Sequence, residues 1–255
     1  MSFVNLYQPP IPVDTALTPS PDPYDINYAF PLPLHLESDR VRLTPFIPSI
    51  HGHVHDEAVK GYEEELYRWI SIDLSGDSFK RLTENYIRRN PNCILFAAID
   101  KTKPDPRHPE LGGSYAGYFG LLDISAHNLA TEIGPVVVLP EFRGTGISTH
   151  AIGLLLCYCL DLPSAGGLGL RRAYWHTNEK NIASIKLAQK AGLRYEGTMR
   201  WNSVLAEGKE GNETRKDDPV RAKGRNTALL AVCWDDWEGG LRERTNALLG
   251  SPQTK

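Results

Sequence analysis

The sequence predicts an α/β fold, a mixed and mostly antiparallel sheet with helices on both faces, and two observations carry that expectation. Three apolar segments, residues 93–100, 115–124 and 130–138, follow one another with only turns between them, the order of an antiparallel meander. The unit from Ala130 to Thr177 then reads strand, helix, strand, and a crossover through a helix joins parallel neighbours.

The elements follow in chain order. Residues 1–39 contain Pro9, Pro10, Pro12, Pro19, Pro21, Pro23, Pro31 and Pro33; each fixes φ and removes a donor, so neither a helix nor a central strand forms there. The expectation is a partly ordered N-terminal arm, anchored by Phe3, Leu6, Tyr7, Tyr24, Tyr28 and Phe30, ahead of a main domain over 40–250. Residues 40–45 alternate and end in Pro45, which makes a short strand, and 50–60 and 62–72 read as helices with polar outer faces. Residues 78–89 form a further helix, with Ser78 placed to cap it and Phe79, Leu82, Tyr86 and Ile87 as its apolar stripe. After the meander come a helix at 147–160, a strand at 172–177, a helix at 181–191, and closing strands at 193–198, near 201–205 and at 228–234. Residues 207–226 carry six basic and five acidic side chains with glycines between them, a long solvated hairpin loop of the kind that also serves as a substrate-facing flap. Asp235, Asp236 and Glu238 end the last strand and open the final helix.

Composition narrows the function. With 255 residues, 41% hydrophobic and 23% charged, the chain suits a soluble globular protein of one large domain with appendages. A formal net charge of −3 gives no reason to expect a nucleic-acid partner. Cys93, Cys157, Cys159 and Cys233 have neither zinc-knuckle nor C-x-x-C spacing and read as reduced core residues. Residues 1–12 lack a basic start and an apolar core, and the longest apolar run, 151–162, is too short to span a bilayer. The expected location is the cytosol, with the nucleus left open, and no membrane partner.

The most informative stretch runs from Val136 to Thr149. A strand ends at Pro140, Gly144 and Gly146 permit positive φ and close backbone approach, and a helix opens near Ile147. The unpaired amides at such a helix start, together with the helix dipole, favour an anion, and Arg143 adds a positive charge. Neither a G-x-x-x-x-G-K-[ST] loop nor a third dinucleotide-type glycine is present.

That loop, followed by a helix, a strand, Asn181-Ile182-Ala183-Ser184, Lys190-Ala191-Gly192-Leu193 and Glu196-Gly197, resembles the GCN5-related N-acetyltransferase (GNAT) superfamily, in particular the ribosomal-protein alanine N-acetyltransferases. The family's Q/R-x-x-G-x-G/A motif stands here as Glu141-Phe142-Arg143-Gly144-Thr145-Gly146, with Glu141 departing at the first position. The resemblance spans roughly residues 40–237 and implies a central splayed parallel strand pair with acetyl-CoA, as cosubstrate, in the cleft between them. The pantetheine arm would run along Val136, Val137 and Val138. The pyrophosphate would lie on Arg143, Gly144, Thr145, Gly146, Ile147 and Ser148, with Asn181, or the nearby Asn178, facing the pantetheine end.

The implied reaction is attack of a neutral primary amine on the thioester, the amine belonging to a small molecule or a peptide. An ammonium cannot attack, so a base is required; Glu132, in Glu132-Ile133-Gly134, matches the family glutamate and is the candidate base, through water. A strand amide near Val136 would stabilise the oxyanion. Many family members protonate the thiolate from a tyrosine on the helix after the asparagine. Lys186, Leu187, Ala188 and Gln189 stand in that region, and Ser184 is the candidate acid. The departures leave open an acyl-CoA-binding protein without turnover and a longer acyl donor. No metal is expected: on a helix His51 and His55 share a face while His53 points away. Trp175 and His176 lie on opposite faces of one strand, and His176 is an alternative base. The acceptor pocket is expected from residues 50–72 and 201–226, in a monomer or homodimer.

Overall fold

The computed structural model describes residues 22–74 and 76–250, and the backbone of 253–254. Its sheet has nine strands in the order β7-β8-β6-β5-β4-β3-β2-β1-β9: β1 Leu36–Glu37, β2 Val41–Pro45, β3 Ile94–Asp100, β4 Ser114–Ser125, β5 Ala130–Val138, β6 Arg172–Asn178, β7 Arg194–Val204, β8 Gly224–Cys233 and β9 Gln253–Thr254. All neighbours pair antiparallel except β5 and β6. The meander of β3, β4 and β5 forms from three largely apolar segments, and every residue of β3 is buried. The one charge there, Asp100, accepts from Thr102 N and Oγ1 at 2.9 and 2.6 Å, which satisfies a buried carboxylate.

Helix α4, Ile147–Leu160, is the crossover between β5 and β6. It has no polar face, and from Ala151 to Leu160 every residue is buried beneath α7, Arg242–Leu249, and against the sheet. Helix α5, Ile182–Lys190, packs beside it on the same face. The opposite face carries a π-wound turn, Pro48–Gly52, leading into α1, His53–Val59, then α2, Glu63–Tyr67, and α3, Ser78–Arg81, which continues π-wound through Leu82–Ile87. A three-residue helix α6, Trp234–Asp236, follows β8, with Asp236 accepting from Cys233 N at 3.2 Å as its cap.

Several expectations need correction. The helix expected over 62–72 stops at Tyr67 because the chain is pulled toward the sheet: Ala206 N donates to Ser71 O at 2.9 Å. Asp77, not Ser78, occupies the N-cap of α3, and no side chain caps that helix. The two strands expected at 193–198 and 201–205 are one strand, β7, with register shifts on either side of its middle and Trp201 at φ +54°. Strand β8 starts at Gly224, so Gly224, Arg225 and Asn226 belong to the sheet and not to the charged loop. Cys93, Cys157 and Cys159 are buried, whereas Cys233 is only half-buried.

On the arm, Ile26, Tyr28, Phe30 and Leu32 pack against the core, and Pro31 O accepts from Tyr158 Oη at 2.7 Å. Phe3, Leu6 and Tyr7 lie outside the described residues. Among the described residues no helix is long and apolar enough to cross a membrane.

Candidate active site

The site is built at a fork in the sheet. β5 and β6 pair in parallel only over Ala130–Arg172, Thr131–Ala173 and Glu132–Tyr174. Beyond Glu132, β5 stays with β4 while β6 stays with β8, and no described strand pairs with the other edge of residues 133–138. Leu139 N donates to Ala116 O, so in the alternation of an antiparallel ladder Val137 turns its backbone groups to β4, and Val136 and Val138 turn theirs into the gap. Consistently, Val138 O accepts from Arg143 Nε at 3.3 Å. The side chain of Val137 is buried in the core, and that of Val136 borders the gap.

The loop after β5 ends in an uncapped helix. Pro140–Phe142 form one 3-10 turn, and Phe142 O accepts from Thr145 Oγ1 at 2.6 Å. Gly144 and Gly146 take φ of +74° and +96°, a region that costs any residue with a Cβ. The first turn-closing bond of α4 runs from His150 N to Gly146 O, and no side chain caps the helix. The amides of Ile147, Ser148 and Thr149 therefore lack intrahelical partners, at the positive end of a 14-residue helix. A Cβ at Gly144 or Gly146 would meet nothing within 4 Å, so no packing occupies the concavity. Arg143 pairs with Glu65, and Glu141 pairs with Lys103 at 2.6 Å, which turns the unexpected carboxylate toward its own cation. These features suit a pyrophosphate held mainly by backbone donors.

At the mouth of the fork lies a cavity of about 780 Å³. It reaches both sheet faces. Glu132 and His176 share one face, Nδ1 of the imidazole lying 2.8 Å from Glu132 Oε2. On the other face Trp175 Nε1 donates to Ser184 Oγ at 2.9 Å. Because Ser184 Oγ accepts there, its hydroxyl proton stays free to be donated. Asn181 caps α5, its Oδ1 accepting from Ser184 N at 3.2 Å, which fixes the serine at the first turn. Asn178 is buried with Oδ1 accepting from Lys180 N at 2.9 Å; it shapes the turn and does not line the cavity.

Of the predicted site residues, Glu132, Val136, Asn181 and Ser184 meet around the cavity, and residues 143–148 lie apart from it, at the uncapped start of α4. The rest of the lining comes from Leu66, Trp69, Ile70, Ser71, Ile72, Asn202, Ser203 and Arg225, from Asp73 and Leu74 just beyond the range 50–72, and from α3 and its continuation, which the sequence reading did not include. Asp123 and Thr227 also line it from outside the expected ranges, and Arg225, inside 201–226, was not singled out. Arg225 had a usable signal, two residues before Thr227 on an alternating strand, but it lay inside a run of charges. The histidine triplet does not converge. His51 Nδ1 accepts from Ile47 N at 2.9 Å, and His55 contacts the Tyr115 and Tyr67 hydroxyls at 3.1 Å each. Burial pushes His51 down to about 4 and His55 down to about 3. His53 instead comes near His108 and Glu110.

Residues 40–194 match the model of the acetyltransferase (GNAT) domain. The chain belongs to the GNAT family. Solved GNAT structures share its fold. A GCN5-related N-acetyltransferase from Brucella melitensis is 24% identical over 85% of this chain and 86% of its own, with a TM-score of 0.65. RimJ from Mycobacterium smegmatis, solved in complex with CoA-disulfide, is 15% identical over 87% of this chain and 95% of its own, with a TM-score of 0.61. The acetyltransferase that modifies the N-terminal serine of ribosomal protein L7/L12 in Salmonella typhimurium is 16% identical over 77% and 96%, with a TM-score of 0.58. No curated protein sequence matches this GNAT chain.

Proposed function

We propose that this GNAT protein transfers an acetyl group from acetyl-CoA to a primary amine by direct attack. The observation that carries the proposal is the fork itself. Its open β5 edge ends at an uncapped α4, and a carboxylate–imidazole pair and a serine hydroxyl stand on its two sides. Backbone amides of residues 143–148 would hold the pyrophosphate, and Val136 and Val138 would pair with the pantetheine amides as an added strand does. The Val136 amide is the candidate oxyanion donor. Glu132 removes the amine proton, and Ser184 gives a hydrogen bond or proton to the departing thiolate.

The 2.8 Å contact between His176 and Glu132 favours a second assignment within the same reaction, in which His176 Nε2 is the base and Glu132 fixes its tautomer. CoA-thiol release measured over a panel of amines, beside calorimetric titration of CoA, tests the reading. Acetyl-CoA-dependent release with at least one amine is the expected result. Tight CoA binding without release on any amine would leave an acyl-CoA-binding protein, and a preference for longer acyl-CoA would replace acetyl as the donor.

A further inference from the structure

The cavity holds more charge than proton transfer needs. Its charged lining is Asp73, Arg81, Asp123, Glu132, His176 and Arg225. Asp73 and Arg81 each have a partner, and Glu132 is paired with His176. Arg225 is different. Its Nη1 donates to Ser71 Oγ at 2.8 Å, its Nε is buried with no partner, and no carboxylate forms an ion pair with it among the described residues. Two residues along β8, hence on the same face, Thr227 is fully buried and its Oγ1 also has no partner. Register extends this face across the fork: Thr227 pairs with Asn178, two residues beyond His176, and His176 holds Glu132.

A half-buried guanidinium whose Nε has no partner is costly, and so is an unsatisfied buried hydroxyl; a ligand that answers both removes that cost. The planar fork of arginine matches a carboxylate. Around these polar groups the wall is apolar, with Leu66, Trp69, Ile70, Ile72, Leu82 and Ile87. We infer that Arg225 and Thr227 bind a carboxylate on the acceptor, so that the acceptor is a free amino acid with an apolar side chain. This rests on the acetyl-transfer reading of the same cavity, with the amine toward Glu132 and the carboxylate toward Arg225. A peptide N-terminus, whose first carbonyl is an amide, would leave the guanidinium unanswered.

The test pairs L-phenylalanine with L-phenylalaninamide and phenethylamine, and L-leucine with L-leucinamide. Thiol release is measured for the wild type, Arg225→Gln and Thr227→Val, and L-phenylalanine binding to each protein in the presence of CoA is measured by calorimetry. The wild type is expected to favour each acid over its amide by at least about tenfold in kcat/KM, since a site built around polar partners rejects analogues lacking them. Arg225→Gln is expected to collapse that ratio to near one, mainly through KM. Thr227→Val should lower it a few-fold, and unchanged CoA affinity in both variants would show that they fold. Equal use of acid and amide by the wild type, or an unchanged ratio in Arg225→Gln, would overturn the carboxylate assignment while leaving acetyl transfer standing. If no amine is turned over, calorimetry decides. Arg225-dependent binding of L-phenylalanine keeps the carboxylate site and removes the acetyl-transfer reading, and binding that is absent or independent of Arg225 overturns the inference.

Discussion

Glu132→Gln separates chemistry from binding. Glu132 sits at the last paired position of the fork, its side chain only 17% exposed, with Oε2 2.8 Å from His176 Nδ1. Glutamine has the same shape, and its amide oxygen can still accept from Nδ1–H, so the pair and the local packing survive. What disappears is the basicity. Removing a positioned general base costs about 10²–10⁴ in rate, so kcat should fall by roughly that factor with the KM for acetyl-CoA nearly unchanged. The proposed pyrophosphate site lies at the start of α4, away from this carboxylate, which is why CoA affinity should hold. Thiol release followed over roughly pH 6 to 9, with calorimetry for CoA, reads both quantities. His176→Gln distinguishes the two bases: a loss much smaller than that of Glu132→Gln supports Glu132, and an equal loss supports His176. Turnover of Glu132→Gln within about threefold of wild type across that pH range would refute the assignment of this pair to proton removal.

Other expectations follow from the same geometry. Gly144→Val should weaken CoA binding by at least about tenfold, because the side chain enters an open concavity and φ of +74° disfavours a branched Cβ; calorimetry showing wild-type affinity would remove the loop as the pyrophosphate site. Ser184→Ala should lower kcat about tenfold and, by stranding the buried Trp175 indole N–H, lower stability by about 1–3 kcal/mol; a loss of stability without a loss of kcat would reduce the serine to a partner for Trp175. Acid should destabilise the fold through His51 and His55, held neutral at about 4 and about 3 by burial. Between the unfolded value near 6.5 and these folded values the unfolded chain binds more protons, so stability is full above pH ~6.5 and each histidine removes about 1.4 kcal/mol per pH unit below it. Denaturant titrations should show that slope, and His55→Phe should remove about half of it, whatever it does to stability at neutral pH.

Much of this GNAT fold is written in short-range pattern. Residues 94–99 are apolar throughout and read as a strand buried on both faces, and 147–160 lack a polar face and read as a buried helix; hydrophobic burial determines both without reference to partners. The turn from Pro140 to Gly146 is likewise local, because proline ends the ladder and glycine alone takes those φ values at low cost. Motif order then marked Glu132, Asn181 and Ser184. What the sequence could not determine is what those groups face. The contact of Glu132 with His176 joins residues 44 apart, and it exists because β5 and β6 pair in register just to that point. Arg225 looked like one charge in a solvated loop, and only the pairing of Ser203 with Arg225 drew it into the sheet and aimed it at the cavity. Solvation energy depends on the final surroundings of a charge, which are set by long-range strand register, so the sequence by itself determined the layers and the glycine turn before α4, and tertiary structure decided which charges line the cavity.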